Sequence, residues 1–178
     1  MPATVIPKQG QSMMYFHSND VPKHKLLPLI GEEVRGGITG STTYFIKSFH
    51  SIETIELMED SKGIFQAFTK GLLLRVFKNN RSISLPIPFK EIDMLELIKG
   101  TEVCAPYYFS PMWILLKLGI RLEIARYFAN GSEYSIEPTT LIIQTQAFKL
   151  KLESNGFAYN SQADYFSKFG EIKALKIK

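Results

Sequence analysis

A disulfide framework is excluded at once, because the 178-residue chain has one cysteine, Cys104. Histidine is nearly as scarce: His17, His24 and His50 lie far apart, and no pair has the spacing of ligands on a helix or hairpin. They read as ordinary surface or partly buried side chains, and no metal is expected. No apolar run of signal-peptide length behind a positive flank opens the chain. With a single thiol, that makes the reducing cytoplasm the expected compartment. The longest apolar stretch, residues 109–129, is interrupted by Lys117, Arg121, Glu123 and Arg126. Each such charge is costly at bilayer depth, so no membrane-spanning helix is expected. Charge of one sign is also not in large excess. The 21 basic and 17 acidic residues leave +4, too mild to imply a nucleic-acid partner, and none is expected.

What is present supports one core. Hydrophobic residues make up 45% of the chain and aromatics 12%, enough to offset ordering entropy and exclude disorder for the bulk of it. Surface scaling gives roughly 29,000 Å² unfolded against 8,800 Å² folded, so about 70% can be buried. A single main domain is expected.

Residues 1–40 read as an irregular leader, with Pro2, Pro7, Pro22 and Pro28 followed by Gly31, Gly36, Gly37 and Gly40. A short helix is predicted around residues 21–30, capped by Ser18, Asn19 or Asp20 with Pro22 in its first turn. From Ser41 the texture is that of strands. Residues 42–49 are β-branched and aromatic. Residues 52–57 predict a further strand or a helical turn, and 63–69 and 72–77 a pair joined at Lys70 and Gly71. Asn79 and Asn80 suit a two-residue hairpin turn, since asparagine tolerates positive φ. In residues 81–85, Ile83 and Leu85 share one face and Ser82 and Ser84 the other. Pro86 and Pro88 end that strand or confine it to an edge. Residues 93–98 predict another strand.

The period then changes. Ser110 and Pro111 form a helix start, and Met112, Leu115, Leu116, Gly119, Ile120 and Ile124 follow helical spacing. One inserted helix over about 110–129 is predicted, closed by Asn130 and Gly131. Residues 139–145 and 148–153 predict a last hairpin, with Phe148, Leu150 and Leu152 alternating with Lys149 and Lys151. Residues 161–169 predict a closing helix with Ser161 and Asp164 as an acidic capping box and Gly170 beyond it. Residues 171–178 read as a loosely held basic tail. The order predicts a mainly β protein, α+β by content, built as a small barrel or orthogonal sandwich.

Two runs carry a family resemblance. GLLLRVFKNNRSISLPIPFKEIDMLELIKG, residues 71–100, resembles the middle strands of bacterial pleckstrin-homology-like and GRAM-type domains. Ile87, Pro88, Phe89, Lys90, Glu91 and Ile92 stand where those domains carry isoleucine-proline, an aromatic, a charged pair and isoleucine. TTLIIQTQAFKLKLESNGF and SQADYFSKF, within residues 139–169, resemble the last hairpin and capping helix of the same fold. The resemblance spans residues 41–170 in outline. It implies a partly open seven-stranded antiparallel barrel with a C-terminal capping helix. It also implies binding of membrane lipids, peptides or proteins rather than catalysis. The leader and the segment 101–133, which includes the inserted helix, have no counterpart in that pattern.

No catalytic constellation is legible. Nothing marks Cys104 as activated, and no nucleophile elbow occurs. Residues 35–41, RGGITGS, cluster glycines but precede a strand and lack the P-loop lysine. The adjacent pairs Glu32 and Glu33, and Glu59 and Asp60, point apart in extended chain and read as solvated charges. No enzymatic activity and no cofactor are expected. The candidate lipid- or anion-binding cluster is Arg75, Lys78 and Arg81. Lys78 and Arg81 flank the hairpin turn and should oppose each other, which is unfavourable unless an anion shares them. Edge solubilisation is the competing reading, and Lys149 and Lys151 form a second basic strip. On the inserted helix, Trp113, Leu116, Ile120 and Tyr127 are candidate partner-docking residues. The competing reading is a helix packed on the barrel or across a dimer interface. The expectation is a non-enzymatic binding module that engages an anionic membrane surface or a protein partner. The alternatives are a homo-oligomerising structural protein and a small-ligand-binding β-barrel.

Overall fold

The computed structural model describes residues 23–38, 42–52, 57, 59–78, 81–170, 172 and 174–178. Its elements in chain order begin with α1 (Lys23–Ile30), β1 (Glu33–Ile38), β2 (Tyr44–Ser51), β3 (Lys62–Phe68), β4 (Gly71–Lys78), β5 (Arg81–Pro88) and β6 (Ile92–Ile98). There follow β7 (Glu102–Cys104), α2 (Pro111–Lys117), α3 (Leu122–Ala125), β8 (Tyr134–Ile136), β9 (Thr139–Thr145), β10 (Phe148–Ser154), α4 (Tyr159–Ser167) and β11 (Leu175–Ile177). The protein is mainly β. Residues 53–56, the turn at 79–80 and the expected caps at 18–20 lie outside the described residues.

Strands β2 to β5 form an antiparallel meander, and β6, β9 and β10 form a second antiparallel set. β10 joins them, pairing with β9 on one edge and with β2 on the other. The result is one nine-stranded sheet whose path runs β11-β6-β9-β10-β2-β3-β4-β5, with β1 paired to β3 off that path. Among the described residues no pairing closes β5 back onto β6 or β11. β5 is therefore an edge strand, which is where Pro86 and Pro88 are tolerated because neither can donate to a ladder.

Alternation decides what faces inward. In β10, Phe148, Leu150 and Leu152 are buried while Lys149 is exposed and Lys151 half-buried. Inward residues of both strand sets belong to one hydrophobic cluster, from Tyr44 and Phe65 through Leu95 to Ile143 and Leu152. α4 seals that core. Phe166 has no solvent exposure and meets Phe65 edge to face at 6.0 Å. Beside it the Tyr44 hydroxyl donates to Gln162 Oε1 (3.0 Å), and Gln162 Nε2 donates to Ser154 Oγ (2.7 Å). This chain of hydrogen bonds satisfies the polar groups that α4 brings inside. Burial holds the Tyr44 phenol well above its ordinary pKa, so it stays a donor.

Four expectations are corrected. The leader carries a strand beyond the expected short helix: α1 falls where that helix was predicted and packs Leu26 and Ile30 against Phe68 and Leu73, and β1, which was not expected, pairs with β3. The tail is held: β11 runs parallel to β6, and Lys178 pairs with Glu96. α4 starts two residues before Ser161, after Ala158, with no side-chain cap, because the Gly156–Ala158 turn leads directly into it. The inserted helix is two short helices. After α2, Gly119 takes φ +81°, Ile120 N–H donates to Leu115 O and Gly119 N–H to Leu116 O. That is a Schellman stop, and it ends the helix where a continuous apolar stripe predicts continuation.

Phe166→Ala is expected to lower unfolding stability by roughly 3–5 kcal/mol, the cost of emptying an aromatic site in a core. Gln162→Ala should cost about 1–3 kcal/mol by stranding buried polar partners. Urea unfolding followed by circular dichroism checks both, and an F166A midpoint equal to wild type would remove α4 from the core.

Candidate functional site

The segment between β6 and β9 leaves the sheet as a separate excursion. β7 and β8 pair antiparallel as its stalk, with Cys104 opposite Tyr134. Two glycines of the sheet body grip that stalk. A side chain at Gly100 would strike Glu137 O at 1.9 Å, and one at Gly156 would strike it at 2.2 Å. Above the stalk, Met112, Ala125 and Tyr134 form a small core of their own, with Leu115, Leu116, Leu122, Ala129 and Ile136 packed around it.

One carboxylate organises the excursion. Glu133 has no solvent exposure. Its Oε1 accepts the Tyr107 N–H (2.7 Å), and its Oε2 accepts the Asn130 N–H in a capping box. The Ser110 side chain also hydrogen-bonds Glu133, while Ser110 Oγ accepts the Trp113 N–H at 3.1 Å and so caps α2. Burial pushes the Glu133 carboxyl up, but the hydrogen bonds from Ser110, Asn130 and Tyr107 outweigh it and hold the acid below its ordinary pKa. Asn130 and Gly131 therefore start a turn instead of closing a helix, as their sequence had predicted.

The tip held in this way is aromatic and wet. Phe109 adopts φ +62°, a left-handed conformation rare for a bulky residue, and its side chain is 69% exposed. Tyr108, Phe109 and Trp113 cluster with ring centroids 4.3 to 5.4 Å apart. Ile114, Leu118, Ile124, Tyr127 and Phe128 are exposed nearby. The basic residues here are Lys117, whose Nζ sits 5.6 Å from the Trp113 ring, Arg121 and Arg126, against the exposed Glu123. An aromatic cluster in mutual contact at an exposed tip suits an interface, because isolated exposed apolar residues are ordinary but clustered ones are not.

The residues singled out in the sequence are placed as follows. Tyr127 and Ile120 are exposed, Trp113 is half-buried in the aromatic cluster, and Leu116 packs against the excursion's core. Lys78 and Arg81 pair directly across the β4–β5 hairpin. Arg75 lies three residues before Lys78, so the two positions fall on opposite faces of the strand. Sequence reasoning missed Tyr108, Phe109 and Glu133. Tyr107, Tyr108 and Phe109 before the Ser110 cap were a visible signal, whereas the role of Glu133 depends on folding.

The interior between the strand sets is packed with side chains, among them Tyr44, Phe65 and Phe166. Among the described residues no group of three or more His, Cys, Asp or Glu is placed to hold a metal ion. Among the same residues no helix is long and apolar enough to cross a membrane. The chain matches no family model, no curated protein and no solved structure.

Glu133 makes the tip acid-sensitive. Its folded pKa lies below the unfolded value, so its stabilisation is present above the unfolded value and is lost as pH falls through the folded one. Emission from Trp113, the one tryptophan, should therefore change below about pH 4 before the sheet unfolds. Glu133→Ala should show the changed emission at pH 7 with the sheet intact by circular dichroism; wild-type emission in that variant would exclude the carboxylate as the organiser.

Proposed function

We propose that this chain is a non-enzymatic binding module of pleckstrin-homology-like architecture that engages an anionic membrane surface through the tip of its excursion. The architecture is supported by a four-strand meander, a three-strand antiparallel set and a helix after the last strand of that set that seals the core. Among the described residues the path from β5 to β11 is unclosed, as a partly open barrel requires.

The observation that carries the binding role is the aromatic cluster of exposed Tyr108 and Phe109 with half-buried Trp113, beside Lys117. Aromatic rings with a polar or wet edge suit the headgroup boundary, and basic residues add attraction to anionic lipid. Phe109 holds a strained backbone while presenting an exposed ring, and such strain persists where the surroundings over-determine it, often at functional sites. The hairpin position of Lys78 and Arg81 is a second basic contact of this module. A second reading, self-association through the same surface, is favoured by the aliphatic members Ile114, Leu118 and Ile124.

The protein should float with vesicles containing phosphatidylserine and lose that binding as salt rises, because exposed charge contacts are screened. Phe109→Glu should abolish flotation. Reversing Lys78 and Arg81 together tests the hairpin separately, and flotation retained in that variant would remove the hairpin from the site. Flotation by F109E equal to wild type would sink the tip assignment. Light scattering of the wild type and Trp113→Glu decides self-association: a dimer lost in W113E would transfer the surface to a second copy of the chain.

A further inference from the structure

Where the excursion meets the sheet body, a cleft of about 430 Å³ opens between Lys99 and Glu102, Arg126 and Tyr127, and Phe157 and Asn160. This volume falls within the range of small-molecule sites, ~300–1,000 Å³. The cleft joins three separate parts of the chain: the stalk, the excursion and the turn leading into α4. At its base the backbone packs closely, since Gly100 and Gly156 leave no room for a side chain against Glu137.

The charges in the cleft are unequally matched. Glu102 already accepts from Lys99 Nζ at 2.9 Å and from the Tyr134 hydroxyl at 2.9 Å. Hydrogen bonds from Lys99 and Tyr134 hold its pKa below the ordinary value, so it stays ionised and occupied. Arg126 hydrogen-bonds only neutral groups, the Tyr134 and Tyr127 side chains, while Glu102 attracts it at longer range. Its Nη1 donates to the Tyr134 hydroxyl at 3.0 Å, and its guanidinium lies 5.6 Å from the ring centroids of both Tyr127 and Tyr134. Two rings lie close to the guanidinium, and no carboxylate among the described residues hydrogen-bonds to it. A planar cation held in place with unused donors is prepared for a bidentate oxyanion.

We propose that this cleft binds a phosphomonoester, with Arg126 as the principal anion ligand. Lys99 and the Asn160 amide supply further donors from the other two walls. A tetrahedral dianion can use donors from three directions, which a planar carboxylate cannot. The room beyond the anion and the exposed rings of Tyr127 and Phe157 accommodate an organic substituent. The ester has two sources of the same chemistry, a soluble phosphate ester or a lipid phosphate, and Tyr127 belongs both to the cleft and to the exposed tip.

Titration of the full chain with glycerol 3-phosphate, read by NMR amide shifts or calorimetry, tests the site without a membrane. Wild type should saturate in the millimolar range or below, and Arg126→Gln should weaken binding by roughly tenfold or more, the effect of one lost charge-assisted contact. Glu102→Gln should tighten it, because it releases Lys99 and removes the competing charge. Absence of saturation, equal binding by R126Q, or weaker binding by E102Q overturns the proposal, and the opposite signs of the two variants separate ligand loss from misfolding. Vesicles then assign the source. Preference for phosphatidic acid over phosphatidylserine at equal surface charge, lost in R126Q, indicates the lipid. Saturation by glycerol 3-phosphate without that preference indicates a soluble ester. The soluble titration stands or falls independently of flotation by the tip.

Discussion

β10 is the strand on which the architecture depends. It hydrogen-bonds to β9 on one edge and to β2 on the other, and so turns two antiparallel sets into one sheet with a shared interior. Its strict alternation sends Phe148, Leu150 and Leu152 into that interior. A one-residue slip would expose all three and bury the lysines, so the register is firmly specified. α4 follows directly, and its Gln162 bonds Ser154 at the end of the same strand. The helix that closes the core is thereby aligned by the strand that joins its halves.

A body built this way leaves the β6–β9 connection free to be something else. Instead of a turn, the chain inserts a stalk, a small apolar core and an exposed tip. The parts cohere through a hierarchy of constraints. Close backbone packing at Gly100 and Gly156 pins the base, β7–β8 pairing extends it, and Glu133 ties the far loops together from inside. A buried carboxylate is costly unless fully hydrogen-bonded, and here backbone donors from both sides of the excursion meet that requirement. The same residue therefore both stabilises the excursion and dictates the shape of its aromatic tip.

Exposed apolar surface and a partly matched cation sit on one excursion with its own small core. Tyr127 and Arg126 are neighbours in sequence, yet one is exposed and the other half-buried near the rings of Tyr127 and Tyr134. In the proposed module the tip supplies non-specific adhesion and the cleft supplies chemical selectivity. Such a division is physically sensible because apolar burial is non-directional, whereas recognition of an oxyanion needs donors fixed in advance.

Much of the strand body was legible in the chain's own periodicity. Alternation in residues 139–154, the prolines of an edge strand and the Ser110–Pro111 helix start are local properties, readable because period and capping act over a few residues. The opposition of Lys78 and Arg81 was legible for the same reason, since a tight hairpin sets register. Other features exist only in the folded chain. The stop at Gly119, the strand pairing of residues 33–38 and the capture of residues 175–177 beside β6 each require a partner distant in sequence or a backbone choice that apolar spacing does not encode. The cleft is the extreme case: Lys99, Arg126 and Asn160 have no sequence relationship. They become neighbours because two glycines let the stalk lie against the body, and close packing is a property of tertiary structure alone.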